Sequence, residues 1–371
     1  MLGVIRSLGY KSIRPFVLLV SEHEGYRNYV LKSKYIVDYK CFLNYQSAID
    51  WLMTNRENNV NSIILCTSDG ASSAVDLNYN ALVLSYKIPN AKQSGVITHY
   101  MNKETMSDFA QKIGLRVPPT WVHNLSAPLP TDIEYPCIIK PLISIEGTKS
   151  DIRVCHTLEE LNSYIKDTSH CNRIQIQKFI IKDYEYQLIG CSLDGGEKII
   201  IPGVSHVIRP SDCSNTGFLK YKSLDESYPV ELAKKFIKQI GYSGLFSMEF
   251  LRDKNGNDYF METNFRNDGN SICVTASGVN LSYIWYLHNS KQSIENEPTV
   301  LQKEVYVMPE FDDFLNVLKR KMSLFQWIKE VRRTDCFMEY DKSDKRPFFV
   351  GLRLQLDNYF RFALRKLYII K

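Results

Sequence analysis

At 371 residues the chain can build two or three domains with ample cores, and 44% hydrophobic with 23% charged residues is the balance of an ordinary folded protein. No apolar run approaches the roughly 18 residues of a membrane helix and no secretory pattern opens the chain, so a cytoplasmic location is expected. The net charge of +5 resides in the tail, where 15 Lys/Arg face 10 Asp/Glu from Leu301 onward; spread this thinly, without an aromatic-studded basic motif, it argues against nucleic acid as a partner.

Residues 1–9 have helical spacing. Phe16–Val20 and residues 62–66 are short apolar runs ending in polar turns, with a helical stretch at 47–52 between them; this alternation predicts a small parallel sheet. Ser68 and Asp69 follow the second run, where ligands of α/β sheets often bind, although a simple turn satisfies the pattern equally well. The spacing of Met106, Phe109, Ala110 and Ile113 predicts a helix over Lys103–Ile113 that stops at Gly114. Residues 136–141 form a strand ending at Lys140, because Pro141 prevents its continuation. A polar loop with one glycine follows (Ser144, Gly147, Thr148, Lys149), and its backbone amides could cradle phosphates. Strands are expected at 174–181 and 184–191, and a helix at Val230–Ile240 closed by Gly241. Residues 277–287 read as a helix or turn.

The most informative segment runs from Gly244 to Arg266. Asn255-Gly256 lies between two alternating apolar runs, the strongest short-range hairpin signal. A two-residue turn there pairs Lys254 with Asn257 and, counting outward, Glu249 with Glu262. The period of two puts Glu249, Glu262, Asn264 and Arg266 on one face, and Phe246, Met248, Phe250, Met261 and Phe265 on the other. Two carboxylates held opposite each other repel. A divalent cation between them removes the conflict, and the Asn264 carbonyl adds a third hard oxygen. A solvated hairpin face with a chance Glu–Glu pair is the plainer reading. Asn267, Asp268 and Asn270 follow at once and are candidates to contact a substrate.

Single stations elsewhere are weaker. Lys140 can reach a phosphate as a point charge or simply end a strand in solvent. Gln177, Lys178, Phe179 and Ile180, with Asp183 and Glu185 just beyond, could offer backbone groups, an apolar wall and a carboxylate to a nucleoside. Arg209 could clamp a substrate carboxylate or be a surface arginine. The nine cysteines are scattered without a CxxC and read as reduced, mostly buried thiols rather than a disulfide frame or zinc site.

Taken in order, Lys103, Lys140, the Ser/Gly loop, the strand-end linker, Glu249 and Glu262-x-Asn264-x-Arg266 resemble the ATP-grasp superfamily over roughly residues 60–290. Its most specific element is E-x-N-x-R with an upstream glutamate on the adjacent strand. Within the superfamily, "ETNFRNDGNS" and "LFQWIKEVRRTD" are similar to stand-alone bacterial carboxylate–amine ligases related to D-aspartate ligase.

The resemblance implies an α/β (α+β) ATP-grasp fold. Residues 1–98 would form a Rossmann-like α/β domain whose first strand is absent or lies upstream. Residues 99–300 would form the ATP-grasp domain, with a lid subdomain in 99–178 and the metal-binding sheet in 179–300. Residues 301–371 would form a helical extension.

It also implies ATP and Mg2+ (or Mn2+) as cofactors, with small carboxylate and amine substrates joined through an acyl phosphate. Lys103 and Lys140 would contact ATP phosphates under the 144–149 loop, Gln177 to Ile180 would bracket adenine, and Glu185 or Asp183 would hold the ribose. Glu249, Glu262 and Asn264 would bind the metal, and Arg266 would lie at the acyl phosphate. Gln177 stands where the family commonly has Glu, and Ile145 and Glu146 stand where glycines are common. Other readings are an ATP-binding regulatory or scaffolding module without ligase activity, and a carbamate- or acyl-phosphate-forming subunit that needs a partner.

In the tail, Arg353, Asp357, Arg361 and Arg365 recur every four residues as one polar stripe on an otherwise apolar helix. Such a helix packs on the catalytic domains, pairs two copies as a homodimer, or lies weakly on the inner-membrane surface.

Overall fold

The computed structural model describes residues 1–22, 28–56, 61–125, 127–141, 152–167, 173–210 and 217–366, with backbone alone at 140–141, 167 and 358–366. Helix Leu2–Gly9 opens the chain. Two parallel strand pairs follow, β1 (Phe16–Val20) with β2 (Asp38–Phe42) and β3 (Ser62–Ile63) with β4 (Tyr86–Lys87). The alternation of strands and helices read from the sequence is present, divided between two small sheets.

An antiparallel sheet of β5 (Thr120–Asn124), β6 (Cys137–Pro141), β7 (Arg153–Cys155) and β8 (Arg173–Lys178) runs in the order β5-β8-β6-β7. The largest sheet contains β9 (Lys182–Leu193), β10 (Lys198–Ile200), β11 (Val204–Pro210), β12 (Gly217–Lys222), β13 (Gly244–Asp253), β14 (Asp258–Asn264), β15 (Val305–Met308) and β16 (Cys336–Phe337). Its order is β14-β13-β9-β11-β12-β15-β16, with β10 paired to β9.

Both faces of this sheet carry apolar cores because successive side chains point to opposite sides. On one face Tyr186, Leu188, Phe246, Met248, Phe250 and Phe260 pack against Phe236 and Ile237 of helix Val230–Ile240 and Met106 and Ala110 of helix Lys103–Ile113. On the other, Ile189, Cys191, Leu245 and Val307 pack against Cys273, Ile284 and Trp285. Helices Lys103–Ile113 and Val230–Ile240 end at Gly114 and Gly241, whose φ of 105° and 74° lie in the left-handed region that glycine tolerates.

The C-terminal region departs from the expected helical appendage. Val305–Met308 is a short apolar run that adds to the sheet antiparallel to β12, and Cys336–Phe337 extends it. The segment is also tied back to the start of the chain. Arg6, 1% exposed, donates Nη1 to the Met338 carbonyl at 2.9 Å and Nη2 to the Glu339 and Asp344 carbonyls at 2.8 and 3.0 Å. Its Nε reaches Asp344 Oδ2 at 3.3 Å, and Ser33 donates to the same oxygen at 2.7 Å.

Helix Arg346–Lys366 begins packed, with Phe348 stacked on Phe311 at 5.3 Å and Pro347 and Gly351 buried. Packing therefore accounts for its first turns; Arg361 and Arg365 lie where only backbone is described. Among the described residues no helix is long and apolar enough to cross a membrane.

Candidate functional site

The β13–β14 hairpin places Glu249 directly opposite Glu262, the partnership counted from the sequence. The turn is not the one expected. Asp253 pairs with Asn257 through its amide (3.0 Å), and its carboxylate accepts the amides of Asn255 and Asn257, both at 2.9 Å. Gly256 takes the left-handed position at φ 80°. This wider loop shifts the register by one, so Phe250 faces Phe260 and not Met261. A bulge between this pair and Glu249↔Glu262 absorbs the shift. Phe260 consequently enters the core at 1% exposure, where Met261 was expected.

The acidic pair sits in a network of amides. Gln187 of β9 and Asn264 of β14 donate to Glu249 Oε1 at 3.2 and 3.1 Å. Asn270 in turn donates to Gln187 Oε1 at 2.8 Å, and Ser247 donates to Asp268 Oδ2 at 2.9 Å. Burial pushes the Glu249 carboxyl up to about 8, and the nearby Glu262 and Asp268 charges add to the shift against the amide hydrogen bonds. Gln187 is a functional candidate that the sequence reading missed. Its signal was the alternation of β9, which puts it on the face opposite Tyr186 and Leu188.

Arg266 follows the hairpin and reaches three ways. Its Nη2 donates to Asn264 Oδ1 at 3.0 Å, its Nε to Asp69 Oδ1 at 2.7 Å, and its Nη1 to the Asn267 carbonyl at 3.3 Å. Asp69 opens helix Asp69–Leu77, whose N-cap Ser68 accepts the Ala71 amide at 3.3 Å. Ser68 and Asp69 thus lie on the turn expected after β3, and Asp69 is brought to the hairpin. Asn267 is 5% exposed, and its amide donates to the Cys66 carbonyl at 3.0 Å.

The nucleotide stations are placed less completely. Lys103 begins a helix capped by Asn102, and Met106 of that helix accepts the Thr263 amide at 3.0 Å, so the helix rests on β14 beside Glu262. Lys140 pairs with Gln175 on β6, which does not stop there as expected but continues to Pro141, paired with Ile174. Ser144, Gly147, Thr148 and Lys149 lie outside the described residues. Gln177 is buried on β8 and donates to Thr120 at 3.0 Å. The amides of Lys178 and Phe179 donate to the Pro119 and Pro136 carbonyls, both at 2.8 Å, and Lys178 pairs with Glu134. Ile180 is buried, Asp183 is exposed, and Glu185 pairs with Lys182.

Arg209 is a correction. Its fork is filled by Asp313 (Nε and Nη2, both 2.8 Å) and by Glu330 (2.6 Å), with Phe218 beneath it at 5.3 Å. Asp313 is 2% exposed, so Arg209 joins the sheet to the C-terminal helices and is no free clamp for a substrate carboxylate.

Among the described residues no group of three His, Cys, Asp or Glu side chains could hold a metal. The residues that could hold a cation here are two facing carboxylates and neighbouring carboxamide oxygens. Glu249 and Glu262 supply the like-charge conflict that a cation resolves, and the Asn270 Oδ1, buried and without a hydrogen-bond partner, is a further hard oxygen nearby. Asn264 Oδ1 accepts from Arg266, which leaves one lone pair of that oxygen for a cation.

No protein-family model matches the chain. A formate-dependent phosphoribosylglycinamide formyltransferase of Bacteroides fragilis is 24% identical over 205 residues, 53% of this chain and 52% of the relative. The chain spans about half the length of the curated relatives it matches. A biotin carboxylase domain of Hydrogenobacter thermophilus 2-oxoglutarate carboxylase, solved with MgADP and bicarbonate, superposes with a TM-score of 0.61 at 16% identity, covering 82% of this chain and 70% of that one. An L-amino acid ligase of Bacillus licheniformis gives 0.61 at 16% identity, covering 82% and 77%. With the antiparallel sheet of β5 to β8, the large sheet and the carboxylate hairpin in place, the chain has the ATP-grasp fold.

Proposed function

We propose that this chain is an ATP-dependent carboxylate–amine ligase that forms an amide through an acyl phosphate. The observation that carries the reading is the facing pair Glu249 and Glu262, with Asn264 and Arg266 following on β14 and just beyond it. Residues 1–98 would bring Asp69 to the site, residues 99–300 would hold the nucleotide, and residues 301–371 would brace the sheet.

In the first step an oxygen of the substrate carboxylate attacks the γ-phosphorus of ATP, and ADP leaves. An amine nitrogen then attacks the acyl carbon, loses a proton, and displaces phosphate. Charge on the transferring phosphoryl group is the main obstacle, so positioning and positive charge carry the catalysis. Arg266, held by Asp69 and Asn264, can donate to the phosphoryl oxygens and then to the tetrahedral oxyanion. Lys140, on β6, supplies a second cation. Lys103 is assigned to the phosphates, Gln177 to Ile180 to adenine, and Glu185 or Asp183 to the ribose. Magnesium (or manganese) bound by Glu249, Glu262 and Asn264 would neutralise phosphate oxygens when present.

The test is phosphate release from MgATP across a panel of amino acids and other small carboxylates, each with and without an amine, followed by mass spectrometry of the product. Amide product formed with one ADP and one phosphate supports the proposal. Nucleotide binding without phosphate release for any pair contradicts it.

A further inference from the structure

The sheet that carries Lys140 holds a second chemistry that the ligase reading leaves unused. Cys137 on β6 and Cys155 on β7 are direct partners across an antiparallel pair. Such partners lie about 4.5–5.5 Å apart at Cα, inside the roughly 4.4–6.8 Å that a disulfide spans. Both are free thiols, 0% and 3% exposed, and each lies close enough to affect the other's ionisation. Ile139, Leu161, Ile174 and Ile176 enclose them in an apolar cluster. No other described cysteine has a cysteine as its strand partner.

Access comes from the edge of the sheet. β7 is three residues long, is the outermost strand, and leaves Arg153 and Val154 exposed. Short edge strands open locally at low cost compared with central ones. Burial pushes the Cys137 thiol up to about 11 and raises Cys155, so the closed pair is unreactive and exchange proceeds through the opened strand.

We propose that Cys137 and Cys155 form a reversible cross-strand disulfide, with a small-molecule disulfide as the oxidant. One cysteine, as the thiolate, attacks a sulfur of the small disulfide; a mixed disulfide forms and one small thiolate leaves. The second cysteine attacks the protein sulfur of that mixed disulfide, forming the Cys137–Cys155 bond and releasing the second small thiolate. Two protein thiols are oxidised, one small disulfide is reduced to two thiols, and the two protons pass to those products. The bond fastens β6 to its edge strand at the base of the hairpin whose first strand carries Lys140. The proposal does not depend on the ligase reading, because the cross-link is read by mass whether or not nucleotide binds.

The experiment equilibrates the full-length native protein with excess oxidised glutathione, quenches in acid, alkylates the remaining thiols, and maps the peptides without reduction. The expected result is one cross-linked species joining the Cys137 and Cys155 peptides, reversed by dithiothreitol, with a raised melting temperature. In Cys155→Ser the cross-link is absent and Cys137 is recovered alkylated or as its glutathione mixed disulfide. Complete alkylation of both cysteines after equilibration of the wild-type protein overturns the proposal, as does a cross-link that forms only after the protein is unfolded in urea.

Discussion

Arg266 and Asp69 stand 197 positions apart and meet at 2.7 Å, joining the carboxylate hairpin to the turn after β3. Asp69 is 55% exposed at its side chain and Arg266 17%. A pair this open contributes at most about 1 kcal/mol to stability. In the proposed reaction its use is to aim the guanidinium. Asp69→Asn is therefore expected to shift the melting temperature by no more than a few degrees while lowering turnover at least tenfold. Arg266→Ala is expected to cost about 3 kcal/mol in the barrier, roughly a hundredfold in kcat. Steady-state kinetics alongside thermal melts check both; unchanged kinetics in Asp69→Asn would remove the aiming role.

The facing carboxylates make a prediction of opposite sign for stability and function. Glu249 ionises only as pH rises through about 8, and Glu262→Gln removes the charge that then faces it, so above that pH the metal-free variant should melt higher than wild type. The same change should remove the stabilisation that MgATP confers. Thermal melts with and without MgATP measure both quantities, and a variant that melts lower while keeping its MgATP shift contradicts the assignment.

Gln187 holds Glu249 from the neighbouring strand and is held by Asn270. Outer partners of metal ligands commonly influence affinity by about 10–100-fold. Gln187→Leu should raise the magnesium concentration needed for half-maximal turnover by about tenfold, with a smaller effect on kcat at saturating magnesium. Equal loss at all magnesium concentrations would mean a packing role.

Glu339 and Glu310 give a pH signature of their own, with neither residue among the proposed metal ligands. Glu310 accepts the amides of Met338 and Glu339 at 3.1 and 3.2 Å and that of Tyr340. Burial, then the Glu310 charge, raises the Glu339 carboxyl well above the ordinary range. The folded state therefore holds a proton that the unfolded chain gives up near pH 4. The stabilisation is fully present below that unfolded value and is lost as pH rises through the folded one. Glu339→Gln should flatten this decline in denaturant melts taken across pH; an unchanged slope would show that another group causes it.

Arg209 is expected to matter for stability alone. Replacing it leaves Asp313 buried without its partner, which typically costs about 3–5 kcal/mol. Arg209→Met should lower the denaturation midpoint while the residual folded enzyme keeps its KM for the carboxylate. A raised KM with unchanged stability would instead support a substrate role for this arginine.

The Glu249–Glu262 partnership was legible because alternation is local and the apolar runs on each side are long. The turn was not, because the Asp253 carboxylate gathers two backbone amides and selects a wider loop. The bulge then returned the register to the counted value, so the pairing was reached through a turn the chain does not adopt. Arg209 and Arg6 were opaque for another reason. Their partners lie 104 and 338 positions away, and no periodicity within a strand or helix encodes contacts at that range. The strand at Val305–Met308 was missed because four apolar residues beside helical segments carry little periodicity.

The claim that Glu249 and Glu262 form the metal end of an ATP site is tested most directly by calorimetric titration of ATP with magnesium and with EDTA. Wild-type protein and Glu249→Gln and Glu262→Gln variants of confirmed fold would be compared. Magnesium-dependent ATP binding in the wild type, lost in both variants, is the predicted result. Binding of wild-type strength and magnesium dependence in either variant would contradict it.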